Sequence, residues 1–167
     1  PVGYYKTMHN PKVDWCYNTE PDETMANRSI PYPRGKTLGG SSSINGLLYI
    51  RGQEQDYDIW RQLGNRGWGW KEVLPYFIKS ENQERGKDEF HGIGGPLSVS
   101  DTRVKLDLLE KFMDASEEKG IPRVKDFNTG NNFGCGYFQV TEKNGLRCSA
   151  AVGYLNPIKN RENLKIE

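Results

Sequence analysis

The run from 33 to 46, Pro-Arg-Gly-Lys-Thr-Leu-Gly-Gly-Ser-Ser-Ser-Ile-Asn-Gly, constrains this chain more than any other stretch. Adjacent glycines let a backbone adopt conformations and make approaches that side chains forbid. The serines add hydroxyls that can donate to phosphate or other ligand oxygens. By composition alone such a run reads as a flexible linker. The apolar residues that follow, Ile44, Leu47, Leu48 and Ile50, imply burial and favour a shaped loop instead. A helix starting at Ser42 or Ser43 would aim free backbone N–H groups and a positive dipole end at an anion. No Gly-Lys-Ser/Thr closes the run, so it is not a Walker loop. The residues themselves point to a loop that cradles a cofactor.

The remainder of the chain offers a lean core. Its 167 residues suit one domain or parts of two. Only 35% are hydrophobic, the mean hydropathy is −0.81, and glycine contributes 19 residues that bury little area. This composition suggests a core completed by sequence outside the chain. A formal charge of +1, from 23 basic and 22 acidic residues, gives no reason to invoke nucleic acid or an anionic membrane. Apolar stretches such as 44–50 are far below the roughly 20 residues of a membrane-spanning helix. The first residues lack the charged start and apolar run of a signal peptide. Cys16, Cys135 and Cys148 are odd in number and have no CxxC spacing, so reduced thiols, a cytoplasmic protein and no metal site are expected.

Along the chain the pattern is α+β. Trp15, Tyr17 and Thr19 alternate like the buried face of a β-ribbon, followed by a turn at Asn27-Arg28-Ser29. Tyr57, Trp60 and Leu63 predict a helix over 56–63 stopped by Gly64, and Val73, Leu74, Phe77 and Ile78 form a second apolar face. Pro75 fits there only in a first helical turn. Residues 81–95 read as a charged surface loop and a boundary, and 96–100 as a strand. Leu106, Leu109, Phe112 and Met113 predict the best helix, capped by Asp101 or Thr102 and ended by Gly120. Residues 127–136, with three Asn and three Gly, must be irregular. Asn144-Gly145 predicts a tight hairpin joining 137–141 to 146–148. A short helix over 149–155 and a strand from 163 complete the pattern.

The run Gly35-Lys36-Thr37-Leu38-Gly39-Gly40-Ser41-Ser42, with Ile44-Asn45, Tyr49, Gly52 and Asp58 at fixed offsets, resembles the first signature of the glucose–methanol–choline oxidoreductases. Further blocks resemble that family as well, among them Gly67-Trp68-Gly69-Trp70, Gly94-Gly95-Pro96-Leu97 and Asn144-Gly145-Leu146-Arg147-Cys148-Ser149. The resemblance implies part of an FAD-binding domain over 1–94 and part of an antiparallel-sheet substrate domain over 95–157. It adds a strand over 158–167 that returns toward the FAD domain. It implies FAD contacts at Thr37, Gly39, Gly40, Ser41, Ser42, Asn45, Gly46, Leu47 and Leu48. The implied chemistry is hydride transfer from the CH–OH group of a small, choline-like alcohol to flavin.

The family's dinucleotide fingerprint is missing, and its catalytic His lies beyond residue 167, so no catalytic residue is expected within this chain. Ile44 stands where some choline oxidases carry a His bonded to FAD, which implies noncovalent FAD. The chain alone is expected to bind FAD poorly and to turn over no substrate. The other reading is a non-catalytic binding module that retains this segment of the fold.

Several other residues carry weaker signals. His9 and His91 have polar neighbours and are expected at the surface. Glu54, Asp56 and Asp58 suit the start of a helix better than acid–base work. Trp60, Trp68 and Trp70 suggest packing, 81–89 a solvated loop, Arg34 and Arg147 structural roles, and Cys148 an inert buried thiol.

Overall fold

The computed structural model describes residues 2–166. Its elements in order are β1 (Tyr17–Asn18), β2 (Pro31–Tyr32), β3 (Leu48–Tyr49), α1 (Glu54–Gln62), α2 (Trp70–Ser80), β4 (Glu81–Gln83), β5 (Leu97–Asp101), α3 (Asp107–Glu118), β6 (Gln139–Val140), β7 (Glu142–Lys143) and β8 (Leu146–Arg147). Single turns of 3-10 helix occur at Val2–Lys6, Glu23–Met25, Gly40–Ser43 and Asn156–Ile158, and a wide π turn at Ala151–Leu155. No helix of the described residues is long and apolar enough to cross a membrane. The chain forms two compact units, one from Pro1–Leu47 with Glu142–Glu167 and the other from Leu48–Thr141. The boundary suggested after residue 94 falls inside the second unit, on the connection that brings β5 beside β4.

In the first unit β1 and β2 pair antiparallel, Tyr17 opposite Tyr32. The expected ribbon forms, but its aromatic face is not buried: Trp15 is 50% and Tyr17 53% exposed. A two-residue ladder offers no second layer, and the rings shelter each other, Trp15 and Tyr17 stacking nearly parallel with centroids 6.1 Å apart. β7 and β8 form the hairpin predicted from Asn-Gly, with φ of 52° at Asn144 and 77° at Gly145, as a type I′ turn requires. Residues 137–141 are not its first strand, because β6 pairs with β3 and β5 instead. The short helix expected over 149–155 is the π turn Ala151–Leu155. The strand expected from 163 does not form over residues 163–166.

The second unit has a four-stranded sheet in the order β3-β6-β5-β4. Its pairs are antiparallel except β4 with β5, which run parallel, so the sheet is mixed rather than purely antiparallel. α1 begins where Asp56 accepts the Gln53 N–H at 2.7 Å, and its C-terminal end is followed by Gly64 at φ 99°. Asp58 accepts the Trp70 N–H at 3.1 Å and so ties α1 to the start of α2. Pro75 lies at the sixth position of α2, past the first turn where it was expected. It removes one backbone bond, to the carbonyl of Lys71, and both residues are exposed, so water can satisfy that oxygen. α3 starts from Leu106, and neither Asp101 nor Thr102 caps it. Asp101 ends β5 with its carboxylate held by Arg85 at 2.8 Å, while the Thr102 hydroxyl donates to the Phe138 carbonyl. Gly120, at φ 81°, follows the helix as predicted.

Residues 81–95 are not a solvated loop, and His91 is not at the surface. Glu81 is fully buried and His91 is 2% exposed. Arg51 donates to Glu81 at 3.0 Å and to the Phe90 carbonyl at 2.7 Å. His91 Nδ1 lies 3.0 Å from Glu81, and its Nε2 lies 3.0 Å from Asp126. The Gly92 N–H donates to the same Glu81 carboxylate at 3.0 Å. A Cβ on Gly92 would stand 1.9 Å from the Ile78 carbonyl oxygen, so only glycine lets the chain close over Glu81. Gln83 and Gln139 exchange two amide hydrogen bonds beside this group, at 2.9 and 2.8 Å. The expectation failed because a charge looks solvated in sequence until its partners meet it in space.

Burial alone would lower the His91 pKa, but hydrogen bonds and charge from Asp126 and Glu81 outweigh it and raise it from 6.5 to about 9. Burial works to raise the Asp126 carboxyl, yet its bonds to His91 and to the Asn128 N–H leave it below the usual range. The folded His91 value lies above the unfolded one. Its stabilisation is therefore complete below pH 6.5 and lost as pH rises through about 9. The shift corresponds to on the order of 3 kcal/mol. Urea unfolding of the full-length protein should show a midpoint that falls across this window, and His91→Asn should remove that slope. Glu81→Gln, which leaves Arg51 and His91 without their counter-charge, should cost about 3–5 kcal/mol; a loss below 1 kcal/mol would refute this account of the cluster.

Candidate cofactor-binding loop

Asp14 prepares the entry to the glycine-serine run. It is 1% exposed, and its carboxylate accepts the N–H groups of His9 at 2.8 Å, Cys16 at 3.0 Å and Arg34 at 2.9 Å. Burial pushes its pKa up, but these N–H groups prevail and hold it below the ordinary value. The backbone of 13–15 runs alongside 34–36 through Trp15 N–H to the Arg34 carbonyl and Lys36 N–H to the Val13 carbonyl. Gly35 is thereby pressed against the loop itself. A Cβ there would stand 2.2 Å from the Gly40 carbonyl oxygen.

Gly39 and Gly40 have φ of 85° and 54°, in the left-handed region that glycine reaches without strain. The helical turn starts at Gly40, not at Ser42 or Ser43, and runs only to Ser43. The serines are mostly spent on the loop rather than free for a ligand. Ser42 donates to the Gly39 carbonyl and Ser43 to the Leu38 carbonyl. Ser41 differs: its oxygen accepts the Gly35 N–H at 3.2 Å, and its proton is given to no acceptor among the described residues. The backbone N–H groups of Thr37, Leu38, Gly39 and Ser41 also make no hydrogen bond among the described residues. A side chain at Gly40 would meet nothing within 4 Å, so the backbone there is open to a ligand.

A brace from 147–151 holds the loop from behind. Arg147 donates to the Ser42 carbonyl at 3.1 Å, the Asn45 side-chain oxygen at 2.7 Å and the Asn45 carbonyl at 2.8 Å. The Ala150 N–H donates to Ser42 Oγ at 2.9 Å, and a Cβ on Gly39 would stand 3.0 Å from the Ala151 nitrogen. The structural role expected of Arg147 is what the geometry gives. Its guanidinium has no carboxylate partner among the described residues, so its charge is left to the loop. Arg34 stacks over the Tyr32 ring at 3.8 Å, also a structural position.

Ser41, Asn45 and Gly46 line a cavity of about 220 Å³ together with Ile44, Tyr4 and Pro33. Thr37, Gly39, Gly40 and Ser42 belong to the same loop but not to this cavity. Leu47 is 2% exposed at φ 70°, a strained conformation for leucine, and Leu48 opens β3 in the second unit. A cavity of about 420 Å³ inside the second unit, lined by Met113, Val124 and Tyr137, contains none of the candidate residues. Among the other candidates, His9 is exposed as expected, Trp70 is buried, and Trp60 and Trp68 are 46% and 54% exposed. Cys148 is buried and forms no disulfide among the described residues. No group of His, Cys, Asp and Glu among the described residues could hold a metal ion. The sequence reading missed Arg51, Glu81 and Asp126, and the glycines just after His91, Gly92 and Gly95, were the one available hint of that cluster.

The family model of the GMC oxidoreductases matches residues 18–167, and the chain belongs to that family. It is 42% identical over 167 residues to an alcohol dehydrogenase [acceptor] of Pseudomonas putida and 42% identical over 166 residues to an oxygen-dependent choline dehydrogenase of Brucella anthropi. Each alignment covers 99% of this chain, which spans 30% of the length of either relative. Among solved structures it is similar to pyridoxine 4-oxidase from Mesorbium loti, with a TM-score of 0.93 and 32% identity over 99% of this chain and 33% of that one.

Gly35→Ala should drive a methyl into the Gly40 carbonyl and collapse the loop, at a cost of about 1–3 kcal/mol. Gly3→Ala, where a Cβ meets nothing within 4 Å, is the matched control. Chemical denaturation of both variants checks this, and equal stabilities would contradict the close approach.

Proposed function

We propose that this chain is the cofactor-loop section of a flavoenzyme that oxidises a choline-like alcohol. Members of the family and its structural neighbours are FAD flavoproteins. Thr37, Gly39, Gly40, Ser41 and Ser42 would hold the anionic chain of FAD, and Asn45, Gly46, Leu47 and Leu48 would face its ring. One observation carries this reading: among the described residues the loop leaves four successive or near-successive N–H groups and the Ser41 proton unspent beside an Arg147 charge that no carboxylate compensates. Oriented backbone N–H groups and a fixed positive charge are what a pyrophosphate requires. The cavity beside Ser41, Asn45 and Gly46 is below the usual size of a whole ligand site, so it would take one part of the molecule.

When bound, the flavin would supply the acceptor for a hydride leaving the alcohol carbon. The chain's own share is to bind and orient. Ile44, 5% exposed, is a saturated hydrocarbon with no atom able to bond covalently to a flavin, and this supports noncovalent FAD. Neither histidine suits the role of general base. His9 is exposed, and His91 is enclosed between two carboxylates that keep it protonated. The base that takes the hydroxyl proton is therefore proposed to lie elsewhere in the full-length protein.

The full-length protein should purify with FAD, and anaerobic addition of choline should bleach its visible absorption. The 167-residue chain expressed alone should retain no flavin. Ser41→Ala, which deletes one donor to a charged group, should weaken FAD binding about tenfold in a fluorescence titration. A full-length protein that binds no FAD would end this reading; FAD that no alcohol reduces would leave a binding module in its place.

A further inference from the structure

We infer that Arg147 is a positioning residue that fixes Asn45 as a one-sided hydrogen-bond donor toward the cofactor, an inference that rests on the flavin reading above. An asparagine amide presents an oxygen at one end and an NH2 group at the other, and its neighbours decide which way round it sits. Here the oxygen accepts from Arg147 Nη1 at 2.7 Å and from the Leu47 N–H at 3.1 Å. A guanidinium and a backbone N–H are both obligate donors. Reversing the amide would set NH2 against both of them, so the oxygen is locked inward. Asn45 is exposed, and its Nδ2 makes no hydrogen bond among the described residues. Two N–H bonds therefore remain for an acceptor atom on the ligand.

The same guanidinium fixes the backbone that carries this amide. It spans the Ser42 and Asn45 carbonyl oxygens at 3.1 and 2.8 Å, a grip that uses the planar fork of arginine and that an ammonium group does not reproduce. Arg147 itself stands on β8, directly after the type I′ turn, so the grip is anchored in a hairpin with a defined register. The left-handed Leu47 that follows is held by its burial and by the Asn45 oxygen. The donor face of the loop is thus set before any ligand arrives, which lowers the ordering cost of binding.

Asn45→Asp in the full-length protein separates positioning from plain structural support. Aspartate keeps an acceptor for Arg147 and adds an ion pair, yet it removes both donors. The melting temperature should hold or rise while FAD binding weakens about tenfold or more by fluorescence titration, with a shift in the flavin visible spectrum. Arg147→Lys keeps the charge and loses the fork, and it should weaken binding as Asn45→Ala does. The double variant Arg147→Lys with Asn45→Ala should be no weaker than either single one. Wild-type affinity in Asn45→Asp, or fully additive losses in the double variant, would overturn the inference alone. A wild-type protein that takes up no FAD would overturn the site reading and this inference with it.

Discussion

The carboxylate of Glu81 is the constraint around which the second unit is arranged. A fully buried charge in a protein interior must be matched by donors, or folding fails. Arg51 arrives from the segment after β3 and His91 and Gly92 from the connection between β4 and β5, while Asp126, from the irregular chain after α3, holds the far side of the His91 ring. These groups come from three pieces of backbone besides β4, which carries Glu81 itself. Meeting the needs of one carboxylate therefore specifies where four segments lie. The few buried apolar groups of this unit, Tyr49, Trp70, Val99, Met113 and Phe127, add buried area, with Trp70 packed among Tyr57 and Phe77 and Phe127 against Phe138.

The first unit follows the same logic on a smaller scale. Asp14 gathers three N–H groups and delivers Arg34 and Gly35 to the start of the loop, and Arg147 gathers three oxygens at its end. Polar groups at both ends leave the middle with few internal demands. The conformation between them is carried by glycines at positive φ and by serines bonded to the loop's own carbonyls. That is how so short a stretch can keep unspent donors without collapsing on itself.

Local features were legible in the sequence, and features made at a distance were not. The glycine-serine loop, α1 with its Gly64 stop, the Asn144-Gly145 turn and the Gly120 end of α3 are each encoded within a few residues. Glu81 and His91 are ten residues apart in a stretch whose composition suggests solvent, and Arg51 is thirty residues from Glu81. Nothing local marks them as partners. Arg147 and Asn45 are 102 residues apart, and although both sat within recognisable blocks, their contact appears only in the fold. The aromatic alternation of Trp15 and Tyr17 misled for the converse reason: period-two patterning reports a shared face, not what covers it.

The glycine–carbonyl contact between Gly35 and Gly40 has a consequence for how such loops diverge. A side chain at position 35 would overlap backbone rather than another side chain, so no compensating change elsewhere could make room for it. A side chain at position 40 meets open space but must accept a left-handed backbone. Sequence drift at the two positions is thus limited by different laws, one steric and absolute, the other conformational and graded. Asparagine or aspartate could in principle replace the second glycine, whereas the first tolerates no substitute without rebuilding the loop.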